Sequence, residues 1–481
     1  MSSVGTVILS DDAGTSKTWK RVRVGETLRL INGVAFKPTD WSDQGLPIVR
    51  IQNLNNPHAP FNHFAGERPE KFRLRGGELL FAWSGTPGTS FGAHVWRGSD
   101  AWLNQHIFKV EFDDAQWDKR FLQLAINQNL AEYVRAAHGG AGLAHITKGR
   151  FEDSELPQPP LPEQQRIVAE IEKQVTRLEA GVAALRRAQA NLKRYRAAVL
   201  KAACEGRLVP TEAEVARREG REYEDGQALL ARVLEDRLRT SRHYAGKRGD
   251  RKPPAALDSV PQRAIPKGWT WATLDMLGQE GRPIIYGIIK PGPHVPDGVP
   301  YVRVTEMKDG RVDVGRLRRA APERAARFAR ATLVAGDLLI SKDGTIGRVA
   351  VVPPELEGGN ITQHVMRVPV HEAICRNYVV WAVRSDELQH WLTGETKGVA
   401  LQGVNVEDFR RLPIPLPPLA EQHRIVAEVE RRLSVVEELE AAVAANLARA
   451  ARLRQAILQR AFSGELVAAE GTDGARPRRA P

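Results

Sequence analysis

Along two long stretches of this chain, apolar residues return in steps of three and four, with polar residues filling the gaps. The first stretch carries Ile171, Val175, Leu178, Val182, Leu185, Leu192 and Val199. The second carries Ile425, Val429, Leu433, Val436, Leu439, Val443, Leu447, Leu453 and Ile457. A narrow stripe with a period of about 3.5 residues is the pattern of a coiled-coil seam. Each stretch is entered through a proline-rich strip, Leu156-Pro-Gln-Pro-Pro-Leu-Pro162 or Leu412-Pro-Ile-Pro-Leu-Pro-Pro418, and proline is tolerated only at a helix start. Each leaves at a glycine, Gly206 or Gly464, placed as a C-terminal cap. The pattern predicts two helices of about 43 residues, each a rod roughly 65 Å long at ~1.5 Å per residue. Such a rod is not stable alone, and its stripe needs a partner. Leu178, Leu185, Val436 and Val443 are expected to be buried between the two.

The two stretches are one element written twice. Pro160-Leu-Pro-Glu-Gln-Gln-Arg-Ile-Val-Ala-Glu-Ile-Glu172 answers Pro418-Leu-Ala-Glu-Gln-His-Arg-Ile-Val-Ala-Glu-Val-Glu430 at an offset of 258 positions. The same offset carries Val199-Leu-Lys-Ala-Ala-Cys-Glu-Gly-Arg-Leu-Val209 onto Ile457-Leu-Gln-Arg-Ala-Phe-Ser-Gly-Glu-Leu-Val467, with no insertion between. The repetition reaches upstream. Gly45-Leu-Pro-Ile-Val-Arg-Ile51 matches Gly298-Val-Pro-Tyr-Val-Arg-Val304, Gly77-Glu-Leu-Leu-Phe81 matches Gly336-Asp-Leu-Leu-Ile340, and Asn104-Gln-His106 matches Thr362-Gln-His364. The order is therefore domain, helix, domain, helix.

Within the first domain, β-prone runs such as Leu46–Ile51 and Glu78–Trp83 sit between glycine turns, and Lys119–Val134 reads as an amphipathic helix. The second domain has a helix candidate over Asn377–Trp391. Thr211-Glu-Ala-Glu214 has the spacing of a capping box and starts a further helix to about Tyr244, with no counterpart in the other half. A basic stretch, Lys247–Pro254, follows and reads as a solvated connector in preference to a phosphate contact. The divisions are 1–157 (first domain), 158–209 (first long helix), 210–264 (extra helix and linker), 265–412 (second domain), 413–467 (second long helix) and 468–481 (disordered tail). Residues 1–18 are also expected to be disordered. The fold class is α+β: two mixed α/β domains separated by two long helices packed as an antiparallel coiled coil, an internal repeat with pseudo-two-fold symmetry.

The paired Pro-Leu-x-Glu-Gln-x-Arg-Ile-Val helix openings, Lys267-Gly-Trp269, and Gly336-Asp-Leu-Leu-Ile-Ser-Lys-Asp-Gly-Thr-Ile-Gly347 carry a resemblance over nearly the whole chain. The sequence resembles the specificity (DNA-recognition) subunit of a type I restriction–modification system. The resemblance implies that the tracts before the helices are target-recognition domains and that the helices are the regions shared between members. It implies double-stranded DNA as a partner, read as a bipartite target with an unread spacer. It also implies two methyltransferase subunits, and restriction/translocase subunits in the full complex. S-adenosylmethionine, ATP and Mg are expected on those partners, with no cofactor bound by this chain.

Composition agrees with that picture. Lys and Arg number 70 against 58 Asp and Glu, a net charge of +12, which points to a polyanionic partner. No apolar run is long enough for a bilayer and no signal peptide is evident. Cys204 and Cys375, the two cysteines, lack metal spacing; the expected setting is reducing cytoplasm. There is no Walker A loop and no GxGxxG after a strand, and no Asn/Asp-Pro-Pro-aromatic motif of amino-methyltransferases. By its own residues the chain reads as non-catalytic. His106 and His364 stand in matching places without ligand partners at metal spacing, and read as hydrogen-bonding residues of the fold. The rival reading is a coiled-coil scaffold that tethers other proteins, its basic charge incidental; a site-specific shift with genomic DNA separates the two.

Candidate DNA-binding residues lie where the halves diverge. Arg50, Gln52 and Asn53 face Arg303 and Thr305. Ser84 and Thr86, in the loop after Ala82, face Lys342, Thr345 and Arg348 in the loop after Ser341. Tyr286 and Lys290 complete the second set. Base edges carry sequence and phosphates carry register; arginine suits guanine, and asparagine or glutamine suits adenine. The glycines of the 341–348 turn would let backbone amides approach a phosphate, and would equally serve a tight hairpin. Divergence on a shared frame is what two different half-sites demand, and drift produces it too.

Overall fold

The computed structural model describes residues 19–56, 58–85, 89–130, 133–134, 144–244, 253–257, 261–308, 310–394 and 404–467. The expected disordered ends (1–18 and 468–481), most of the basic connector Lys247–Pro254, and Thr86 lie outside them. The chain divides into two compact units, residues 1–186 with 444–481, and residues 187–443.

In the first unit, Leu28–Asn32, Ile107–Phe112, Leu79–Ala82 and Gly92–Val95 form one antiparallel sheet in that spatial order. A second sheet orders Asn62–Phe64, Leu46–Val49, Ala101–Leu103 and Arg73–Leu74, its middle pair parallel. The run Leu79-Leu-Phe-Ala82 is apolar without alternation because both of its faces are covered. Leu79 and Phe81 enter one core with Phe108, Phe121 and Phe151, while Leu80 and Ala82 enter another with Val49, Leu74 and Leu103.

The second unit repeats the plan. Ile285–Tyr286, Val365–Val368, Leu338–Ser341 and Val349–Val351 form the first sheet, and Arg318–Ala320, Val299–Val302 and Asn360–Ile361 the second, its last pair parallel. Leu338 and Ile340 face one core and Leu339 the other. Where the sheets meet, parallel bridges join Val34 to Asn104 and Ile288 to Thr362. A Cβ on the preceding Gly33 or Gly287 would lie 2.1 Å from the Asn104 carbonyl oxygen or 2.0 Å from that of Ile361, so only glycine fits.

The proline strips differ from expectation. Glu155–Gln158 pairs with Lys20–Arg23, and Pro413–Leu416 pairs with Thr270–Thr273. Each two-stranded ribbon closes its domain, and edge pairing of this kind tolerates proline. Pro413–Leu416 therefore belongs to the second domain and not to the helix. The long helices are Leu161–Cys204 and Leu419–Phe462, 44 residues each. Past Gly206 (φ 67°) and Gly464 (φ 80°), Arg207 N–H donates to the Ala202 carbonyl at 2.9 Å and Glu465 N–H to the Arg460 carbonyl at 3.0 Å. Both ends are thus glycine-capped as expected.

Each helix starts in one unit and ends in the other. In the first unit, Ile167 and Ile171 share a core with Leu458, Ala461 and Phe462, and Glu179 faces Arg454 at 3.5 Å. In the second, Val199 and Ala203 share a core with Ile425, Val429, Leu433 and Val436, and Arg196 meets Glu440 at 3.0 Å. In both units, then, the pair runs antiparallel.

The buried seam of the second helix steps by sevens through Val429, Val436, Val443, Ala450 and Ile457. Leu439 and Leu453, assigned to the stripe from sequence, fall off it and are 48% and 49% exposed. Leu178 and Leu185 are half-buried rather than buried, because a two-helix pair leaves its flanks open to water. Two expected helices are each broken in two. Thr211 caps Glu212–Glu219, followed by Gly226–Tyr244, and Asn377–Trp391 divides into Arg376–Val383 and Asp386–Gly394.

The repeated Glu-Gln of the helix openings forms the joint between helix and domain. Buried Gln164 accepts from the Asp118 N–H at 2.8 Å and donates to the Pro159 carbonyl at 2.8 Å. Gln422 accepts from the Cys375 N–H at 2.9 Å and donates to the Pro417 carbonyl at 2.9 Å. Buried Glu421 accepts from the Glu212 N–H at 2.8 Å and the Trp269 indole at 3.0 Å.

Candidate nucleic-acid interface

In the first unit, the strand Leu46–Val49 runs into a short helical turn, Ile51–Asn55, whose start presents Arg50. The Arg50 guanidinium lies over the Trp41 ring, 5.6 Å from its centroid. The two border a cleft of about 420 Å³ shared with Gln52, Asn55, Gln105 and His106. Gln52 is exposed. Asn53, a candidate DNA-binding residue from sequence, is instead 2% exposed. Its oxygen accepts from the Arg50 N–H at 3.1 Å, and its amide donates to the Ala59 and Pro60 carbonyls at 3.3 and 3.4 Å. It holds the turn, because a short amide beside free backbone groups is spent locally.

Trp83 follows the central strand and donates to Asn32 at 3.2 Å. Its ring centroid is 5.3 Å from that of His106 and 4.6 Å from that of His145. Half-buried Ser84 pairs backbone-wise with His145. Burial, then His145 and Arg50, lower the pKa of His106, which keeps the imidazole neutral at pH 7. The structure thus brings Arg50, Gln52 and the Asn104–His106 turn to one cleft, with Trp83 against His106 and Ser84 paired at His145. Sequence reasoning missed Trp41, Gln105 and His106 as lining; the matched Asn104-Gln-His106 and Thr362-Gln-His364 tracts were the available signal.

In the second unit the loop after Leu338–Ser341 is a built turn. The buried Ser341 hydroxyl donates to the Thr345 carbonyl and accepts from the Arg348 N–H. Arg348 is exposed, and its guanidinium donates to the Val304 and Met307 carbonyls at 3.3 Å each, tying this loop to the turn that carries Arg303 and Thr305. Lys342 reaches Asp343 at 3.1 Å, and His364 Nδ1 meets the same Asp343 oxygen at 2.7 Å. Thr345 and Thr305 are exposed, and the Thr305 hydroxyl donates to Glu306 at 2.7 Å.

Arg303 is clamped. Its Nη2 donates to buried Glu306 at 2.6 Å and its Nε to both carboxylate oxygens at 3.2 Å. Burial pushes the Glu306 carboxyl up, yet hydrogen bonds from Arg303 and Thr305 outweigh it and hold the pKa below its ordinary value. Tyr286 packs against the second unit's core. Exposed Lys290 has φ 49°, and its carbonyl accepts from Arg324 at 2.7 Å. The site therefore unites Arg303, Thr305, Lys342, Thr345 and Arg348, while Tyr286 serves packing. No group of His, Cys, Asp and Glu among the described residues could hold a metal ion, and no described helix is long and apolar enough to cross a membrane.

Comparison with known families matches the type I restriction modification DNA specificity domain to residues 16–184 and 295–443, the two repeated tracts. The chain belongs to that family. It is 28% identical over 454 residues to the type I restriction enzyme EcoBI specificity subunit of Escherichia coli, covering 94% of this chain and 87% of the relative. The EcoKI specificity subunit of Escherichia coli K12 is 23% identical over 474 residues, covering 94% and 89%. The crystal structure of an HsdS subunit from Thermoanaerobacter tengcongensis aligns with a TM-score of 0.50 at 20% identity, covering 93% and 97%. A chain from a structure on assembly and conformational transition of the type I R-M system aligns with a TM-score of 0.64 at 20% identity, covering 94% and 100%. These alignments share the fold described above. As a type I specificity subunit, this chain is the non-catalytic, DNA-recognising component of its system. Its α+β organisation, with two mixed domains and two long helices, is the expected one.

Proposed function

We propose that each unit of this specificity subunit reads one half of a bipartite double-stranded DNA target, and that the antiparallel long helices fix the number of base pairs between the halves. Two methyltransferase subunits bring S-adenosylmethionine and adenine methylation; restriction/translocase subunits bring ATP, Mg and DNA cleavage. The observation that carries the reading is one scaffold dressed in two ways. The matched turns hold Arg50 and Gln52 in one unit and Arg303 and Thr305 in the other. The matched loops hold Trp83 and Ser84 against Lys342 and Arg348. A protein that reads two unlike half-sites needs this combination, since backbone position sets register while side chains carry sequence.

Domain exchange tests it. Replacing residues 265–416, which keeps the closing ribbon whole, with the equivalent tract of a relative is expected to change one half of the methylated motif, mapped by methylome sequencing, and to leave the other intact. An active complex in which both halves change would refute separate readers.

A further inference from the structure

The two units solve one local problem differently, and the difference sets one arginine free. Arg50 and Arg303 each precede a short helical turn whose third residue accepts from the arginine's own N–H, Asn53 at 3.1 Å and Glu306 at 2.9 Å. In the second unit that acceptor is a carboxylate, and it captures the Arg303 side chain as well. In the first it is a neutral amide whose nitrogen is already committed to two backbone carbonyls. Among the described residues, no carboxylate pairs with the Arg50 guanidinium.

What meets Arg50 instead is an aromatic face. Trp41 is 42% exposed, a large ring kept out of the core. Stacking occupies the face of a guanidinium and leaves its N–H edge for a planar acceptor pair. The rest of the cleft is rich in donors, with the amides of Gln52, Asn55 and Gln105 beside His106, and it holds no carboxylate. A further positive charge is absent from it, since burial and the neighbouring Arg50 both disfavour protonation of His106. In the major groove, guanine presents two adjacent acceptors, N7 and O6, and adenine and thymine do not.

We propose that Arg50, stacked on Trp41, reads a guanine in the half-site of the first unit, and that asparagine at position 53 in place of the glutamate at 306 is what makes it available. The inference rests on the DNA-reading function proposed above.

The test uses the complete methyltransferase complex. Methylated motifs are mapped, and binding is measured to the target duplex and to duplexes changed one base pair at a time. Arg50→Ala is expected to lose about ten- to a hundred-fold discrimination at a single G·C pair of one half-site, the contribution of one bidentate contact. Arg50→Lys, which keeps the charge and loses the fork, should lose the same discrimination. Asn53→Glu should abolish reading of that same pair with Arg50 still present, by recreating the clamp of the second unit. Retention of the other half-site reports that each variant is folded.

A methylated motif unchanged in Arg50→Ala overturns the proposal. Uniform weakening across all duplexes with a shallower salt dependence also overturns it, by making Arg50 a phosphate contact. Loss of discrimination at an A·T pair does so as well. If the unaltered complex shows no site-specific binding to any duplex, the DNA-reading function itself falls, a result distinct from these.

Discussion

A single amide side chain can decide what a larger surface does. Buried Gln422 satisfies the N–H of half-buried Cys375, so Gln422→Ala is expected to cost about 1–3 kcal/mol through the donor it orphans, measured by denaturant unfolding. Gln164→Ala should cost a similar amount through Asp118. Glu421 adds a pH signature. Burial raises its carboxyl to about 6, against the hydrogen bonds from Glu212 and Trp269 and the charge of Arg424. An acid raised in the folded state binds its proton more tightly there than in the unfolded chain. Its contribution to stability is therefore full below the ordinary range of ~4.3, and is lost as pH rises through about 6. Glu421→Gln should flatten stability against pH across that window. A slope unchanged from the parent would assign the titration to another group. The Glu-Gln repeat was plain in the sequence, but its partners were not, because Asp118 and Cys375 lie 46 and 47 residues away. Asn53 was misread for a related reason: residue type announces an amide, and only the fold reveals that backbone has already claimed it.

Helices were the legible elements and strands the ambiguous ones. A seven-residue repeat survives in the folded seam from Val429 to Ile457, yet Leu439 and Leu453, each three residues past a seam position, imitate its companion stripe. Leu433→Ala should therefore destabilise by about 2–5 kcal/mol, whereas Leu439→Ala or Leu453→Ala should stay within about 0.5 kcal/mol; denaturation midpoints check both. Cysteines at positions 179 and 454, where Glu179 now faces Arg454, should crosslink within one chain. Crosslinking found only between chains would remove the intramolecular antiparallel pair. The runs at Leu79–Ala82 and Leu338–Ser341 gave themselves away as strands by length and flanking glycines. The proline strips did not, since their ribbon partners, Lys20–Arg23 and Thr270–Thr273, lie more than a hundred residues upstream.

For the molecule as a whole, the proposed role of the long helices can be measured in base pairs. Adding four residues near Ala184 and four near Ala442 lengthens each helix by roughly 6 Å. With duplex DNA rising ~3.4 Å per base pair, the spacer of the methylated motif should grow by about one or two, and neither half-site should change. An active complex that methylates the original spacing would show that something other than helix length sets the distance. The duplication itself was readable from end to end, but the chemistry that joins its parts was not, and that joint has a genetic consequence. Asp118 is an acid and Cys375 a thiol, yet Gln164 and Gln422 receive the same thing from each, a backbone N–H at a helix start. At these two bonds the glutamine meets backbone alone, whatever side chain the donor residue carries. A foreign reader spliced in ahead of the glutamine would keep this bond wherever its own helix start presents an N–H. On the proposed division into two readers, a target half could then be exchanged in one recombination event, with the Trp269 indole against Glu421 as a side-chain match the newcomer must keep.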